Sequence, residues 1–235
     1  MNRISFKSLF FTAALLSFFF SAELFSLEGF TWTDRDYEKY DYKTFALIEE
    51  ANTRIDMKHI DYPLLQAAVF YETNRQRVLN KRPEFKHSPA LERAAKGHSD
   101  DMVKYDFFSH ESRVKGKRTM SDRLALVGIS NCYSGENIAY TFGIEYKAGK
   151  SVYSPVQNGG YFSYTYKGKP IKNHTYLGLA GEVVNNWMNS PGHKANILNK
   201  NFIYLGAGAA HYNDKDFYNM DNFKFTQNFA SIKGK

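Results

Sequence analysis

Residues 203–231, IYLGAGAAHYNDKDFYNMDNFKFTQNFAS, contain two runs of period two, IYLGAGAAH and FKFTQNFAS, separated by the polar stretch YNDKDFYNMDN. Successive side chains of a strand point to opposite faces, so Phe223, Phe225, Gln227 and Phe229 share one face, and the two runs are predicted to pair as strands across the polar loop. In the first run Gly206 and Gly208 alternate with Leu205, Ala207 and Ala209. Two glycines on one face mark a strand that another layer approaches closely.

Upstream of this stretch the period becomes helical. Asp61 can cap a helix with Pro63 in its first turn, and Leu65, Ala68, Val69, Val78 and Leu79 recur on one face until Pro83 stops it. Ser88-Pro89 starts a second helix, with Leu91, Ala94, Ala95, His98, Met102 and Tyr105 as its buried stripe. His98 lies inside that stripe and reads as a satisfied core histidine rather than a ligand. Ser121-Asp122 opens a short helix that Gly128 can end with a left-handed cap. A further helix runs through GLAGEVVNNWM, and Ser190-Pro191 starts a short turn carrying His193, Ile197 and Leu198. Helices first and strands last around one core indicate an α+β layered domain.

Residues 1–22 begin with Arg3 and Lys7, continue through LFFTAALLSFFF and reach the small pair Ser21-Ala22, the pattern of a secretory signal peptide. Cleavage near Ser26 is the alternative site. The apolar run is shorter than the roughly 20 residues of a spanning helix, so the mature chain is expected to lie outside the cytoplasm, in a periplasm or the extracellular space. Residues 23–60 read as an extended N-terminal arm, and 61–235 as the domain, with an aromatic insert at 143–176 in which Asn158-Gly159-Gly160 and Lys167-Gly168-Lys169-Pro170 suggest a hairpin.

The chain has 235 residues, 43% hydrophobic and 23% charged, enough for one core without metal or disulfide staples. Its net charge of +7 includes Arg3 and Lys7 of the leader, and Lys and Arg are interleaved with Asp and Glu, which argues against nucleic acid as a partner. Cys132 is the only cysteine, so no internal disulfide forms, and it reads as a small half-buried thiol. A monomer is expected.

Four segments place polar, ligand-capable residues at element ends: FSH at 108–110, SGENIAY at 134–140, GEVVNNWM at 181–188 and NSPGHKANIL at 189–198. HExxH, paired CxxC, phosphate-cradling glycine loops and the G-x-S-x-G elbow are all absent. In this order, together with ETNRQR, LERAAKGHSDDM, SDRLALVGI, LGAGAA and FTQNFAS, the segments resemble the CAP superfamily, which comprises the cysteine-rich secretory proteins, antigen 5 and the plant pathogenesis-related proteins of group one. Its bacterial secreted branch is the most similar, and the resemblance covers about Asp61 to Ser231.

The resemblance implies a three-layer α-β-α sandwich with a central antiparallel sheet and a cleft lined by two histidines and two acids. His110 of FSH matches the first cleft histidine, Glu136 of GENIAY the first glutamate and His193 of SPGHK the second histidine. Where relatives carry a second glutamate, three residues after the tryptophan, this chain has Ser190; Glu182 is the nearest acid but precedes Trp187 by more than a helical turn. The resemblance further implies a non-catalytic module for a lipid-like, glycan or protein ligand.

From the residues themselves, His110, His193, Glu136 and a water would suit an open Zn2+ site, with His110 and His193 as metal ligands. The same trio could be the skeleton of a metal-dependent, peptidase-like hydrolase, or Glu136 could simply brace a loop. The insert is either a recognition surface rich in tyrosine or a cover for a sheet edge.

Overall fold

The structure, a computed structural model, describes residues 30–234. The predicted signal peptide and its cleavage site lie outside the described residues. Helices α1 (Tyr42–Phe45), α2 (Tyr62–Leu79), α3 (Pro89–Lys104), α4 (Met120–Ala125), α5 (Pro155–Asn158), α6 (Tyr176–Met188) and α7 (Pro191–Ile197) surround one sheet of strands β1 (Lys86–His87), β2 (Ser134–Phe142), β3 (Tyr204–Asp214) and β4 (Met220–Ala230). The sheet order is β1-β3-β4-β2. β3, β4 and β2 are antiparallel as expected, whereas the two-residue β1 adds in parallel to β3, pairing Lys86 with Tyr204 and His87 with Leu205. The two long strands each run three residues into the stretch read as loop.

The helix starts follow from their caps. Asp61 accepts the Leu64 N–H at 3.0 Å, and Ser88 accepts that of Leu91 at 3.1 Å. For α4 the cap is Thr119 rather than Ser121-Asp122. Thr119 and Asp122 satisfy each other's N–H groups in a capping box, which needs their spacing of three. Gly128 is left-handed, as expected.

Period-two alternation divides the sheet into two faces. Leu205, Ala207, Ala209, Phe223, Phe225 and Phe229 join α2 and α6 in one apolar core. The opposite face carries α3, so closely that a Cβ on Gly206 would lie 2.0 Å from the Glu92 nitrogen and one on Gly208 2.2 Å from that of Lys96. Ser99 Oγ reaches the Gly208 carbonyl and Thr226 Oγ1. Lys224, on the same face, donates from Nζ to the carbonyls of Met102 and Phe107 at the end of α3.

Residues 30–60 are not extended. They fold into short helical turns that bury Trp32, Phe45, Ala51 and Ile55 in the core shared by α2 and α6. Trp32 lies edge-on to Tyr37, Phe45 and Tyr71. At the chain's other end, Ser88 Oγ donates to the Lys233 carbonyl, and Asp34 and Lys233 border one cavity. The insert contains α5 and the isolated bridges Tyr153–Ser163 and Ile144–Asn173, not a regular hairpin, because left-handed Gly159 closes a helical turn. It covers the β3–β4 turn, where Phe162 and Phe142 stack on Phe217.

The close approach at β3 makes a direct prediction. Gly208→Ala should cost about 3 kcal/mol or more in urea unfolding, since backbone rather than a mobile side chain occupies the space. Gly97→Ala, on open α3 surface, should be neutral or stabilising by up to about 1 kcal/mol.

Candidate functional site

Glu136 is at the third position of β2, opposite Asn228 of β4, and faces α3 with a side chain only 3% exposed. A buried carboxylate is costly unless its lone pairs are filled. Here all four are. Oε1 accepts from His110 Nδ1 at 2.9 Å and Arg123 Nη2 at 2.9 Å. Oε2 accepts from Arg123 Nη2 at 2.7 Å and from the Asn228 amide at 3.1 Å, oriented so that its oxygen receives the Ala95 N–H at 3.2 Å. Burial alone would raise the Glu136 pKa, but the His110 bond and the Arg123 charge outweigh it and hold the carboxyl below its ordinary value.

Arg123 is the residue that sequence reasoning missed. It is equally buried, reaches the His110 carbonyl at 3.1 Å, and anchors its other terminal nitrogen on the carbonyls of Lys117 and Arg118. Its signal was a charged residue in the last turn of a short helix whose neighbour Leu124 is core.

His110 is exposed. Its Nδ1 faces an acceptor-only carboxylate, which fixes the proton there and leaves Nε2 as the free lone pair. His98, as read from sequence, is fully buried, and Nε2 donates to the Ser109 carbonyl at 3.0 Å, bracing the turn that carries His110. Burial pushes its pKa down to about 4.

His193, in the first turn of α7, is half-buried, and burial lowers its pKa from the ordinary value. Its carbonyl accepts from Asn137 Nδ2, which also binds Gln227 Oε1. Asn196 of α7 donates to Asn137 Oδ1 and the Glu136 carbonyl, and Gln227 donates to Thr73 of α2. This buried polar chain locks α7 to β2, β4 and α2.

The structure thus brings His110 and Glu136 together on an open cleft of about 340 Å³ bordered also by Glu111, Thr119 and Met120. It does not bring in Glu182, which lines a different pocket with His174 and Tyr146. Ser190 caps α7 by position but makes no side-chain cap bond. Among the described residues, His110, Glu136 and His193 are not a cluster of three ligating atoms within 4.8 Å. The donors left free for a metal are two imidazoles, fewer than the three protein ligands of a typical catalytic zinc site.

The family model for the cysteine-rich secretory protein family, CAP, matches residues 70–229. Two Bacillus subtilis (strain 168) proteins align with the chain: YkwD, 29% identical over 136 residues, and YlbC, described as a membrane protein, 27% identical over 157 residues. The alignments cover 58% and 67% of this chain but 38% and 32% of those proteins, so the chain spans well under half of their length. Similar solved structures include an extracellular SCP-domain protein from Bacillus anthracis str. Ames, 25% identical with a TM-score of 0.48, covering 74% of this chain and 42% of that one. An outer surface protein from Borrelia burgdorferi is 20% identical with a TM-score of 0.46, covering 78% of this chain and 99% of that one.

The two buried ionisable groups give the site a pH signature. His98 binds fewer protons folded than unfolded between its ordinary pKa near 6.5 and about 4, so stability falls as pH drops through that window. The loss is about 3 kcal/mol by linkage. Glu136, held low, adds to the loss below its ordinary value of 4.5. Urea unfolding at pH 7 and 4.5 should show the decline, and His98→Gln should flatten it.

Proposed function

The chain belongs to the cysteine-rich secretory protein (CAP) family, and on that premise we propose that it is an extracytoplasmic, non-catalytic binding module for a lipid-like, envelope-derived ligand. The supporting observation for the ligand class is a pocket of about 200 Å³ lined only by apolar and aromatic side chains, among them Ile144, Val152, Phe162, Ile171 and Phe217. The insert builds most of it, against the β3–β4 turn. A cavity with so little polar lining favours a hydrocarbon or ring over a sugar or a charged peptide. Among the described residues no helix is long and apolar enough to cross a membrane.

The state of Glu136 favours binding over hydrolysis. A general base needs a free lone pair and a pKa near the working pH, whereas this carboxylate is saturated and held low by Arg123 and His110. Glu136 acts instead as the orienter of His110. The second reading, a weak divalent-metal site in the cleft, is favoured by the Nε2 of His110, left free by the Nδ1 contact with Glu136, and by the lowered pKa of half-buried His193.

Titration with a fluorescent fatty acid tests the ligand class. Phe162→Asp and Ile171→Asn should each weaken binding at least tenfold with little change in Tm, and undiminished binding by both would reject the pocket. His110→Ala/His193→Ala should lose the cleft's zinc while keeping the fold. Peptide cleavage that disappears in Glu136→Gln would revive the hydrolase.

A further inference from the structure

A second constellation shares no residue with the cleft. At the junction of the arm, β1 and the first turn of α3, one ligating atom each of Asp34, His87 and Glu92 lies within 4.8 Å of the other two. His87 Nε2 is 2.9 Å from Glu92 Oε2, and these two side chains are 7% and 17% exposed. Asp34 is exposed.

The two inner donors are held in place by Tyr37. Its ring lies flat on the His87 imidazole, with centroids 3.5 Å apart and planes 7° from parallel, and its hydroxyl donates to Glu92 Oε2 at 2.8 Å. An imidazole clamped by stacking and a carboxylate clamped by a neutral donor form the kind of outer support that orients metal ligands.

The cluster opens on a cavity of about 580 Å³ bordered by Asp34, His87 and Tyr71. The Tyr71 side chain is buried, and its hydroxyl has no hydrogen-bond partner among the described residues. Exposed Asp34 brings a second carboxylate to the same point as the His87–Glu92 pair, gathering three side chains of the kinds that ligate first-row metals in one cluster.

We propose that Asp34, His87 and Glu92 form a divalent transition-metal site that ties the N-terminal arm to the β1–α3 junction. One imidazole and two carboxylates suit Zn2+ and its neighbours in the first transition row. Bond lengths of 2.0–2.1 Å require the donors to be roughly 3.3 Å apart in a tetrahedron, and exposed Asp34 is the ligand free to close that gap. The metal would replace the direct His87–Glu92 contact, with water from the cavity in the remaining position. The site is independent of the proposed cleft function, and its ligands come from two segments separated in sequence, the arm and the β1–α3 junction.

Native mass spectrometry of zinc-titrated protein tests the assignment, using the His110→Ala/His193→Ala variant so that the cleft cannot contribute. One zinc per chain is expected, together with a Tm rise of about 5 °C or more at a hundredfold excess over Kd and slower trypsin cleavage at Arg35 and Lys39. Adding His87→Gln, or separately Asp34→Asn at the exposed position, should abolish all three effects. No zinc uptake by the cleft-free variant, or uptake that survives both substitutions, would overturn the site. Zinc counts for His87→Gln alone report the cleft separately, so failure of one site is distinguishable from failure of the other.

Discussion

The contact between the backbone of α3 and the glycines of β3 is the constraint on which the remaining architecture depends. With hydrogen atoms at Gly206 and Gly208, α3 sinks onto the sheet until its main chain nearly touches the strand. That depth brings the Ala95 N–H to Asn228, which in turn supports Glu136. It also carries His98 to the Ser109 carbonyl, beneath the turn holding His110. A side chain at either glycine would lift the helix and loosen the cleft from below.

Above that contact, the cleft is built to hold groups still. Glu136 has no unused acceptor site, Arg123 is spread over three carbonyls and a carboxylate, and the amide chain through Asn137, Asn196 and Gln227 fixes the helix bearing His193. Buried networks of this kind give geometric definition more than net stability. What remains free to act is one face of each imidazole, an arrangement suited to presenting ligands and poorly suited to moving protons.

Much of the fold was legible because its determinants are local. Asp61 with Pro63, and Ser88 with Pro89, announce helix starts through side-chain bonds spanning three residues. Phe223, Phe225 and Phe229 announce a buried face through alternation alone. β2 was silent because SGENIAYTF buries Glu136 and Asn137, so its apolar pattern is broken where the site is made. The same holds for Arg123 and Asn228, whose partners lie on other elements. His110, Glu136 and His193 came from resemblance, and Glu136 is found bonded to His110 and Arg123. Glu182 was suggested by its nearness in sequence to Trp187. Five residues at 100° per residue set it about 140° around the helix from that core-facing ring, and the arm was misread because its aromatics gather around Trp32 and Tyr71 of α2 without a regular period.

The bond from Ser88 to Lys233 and the position of Asp34 on the same cavity mean that the first and last described segments finish at one junction of the molecule. A short linker could therefore join them without crossing the cleft helices, leaving the domain open to circular permutation at an exposed insert turn such as Gly149. By the same geometry, a pull transmitted through Asp34 or through Lys233 acts on the same corner, the point where arm, sheet edge and α3 meet.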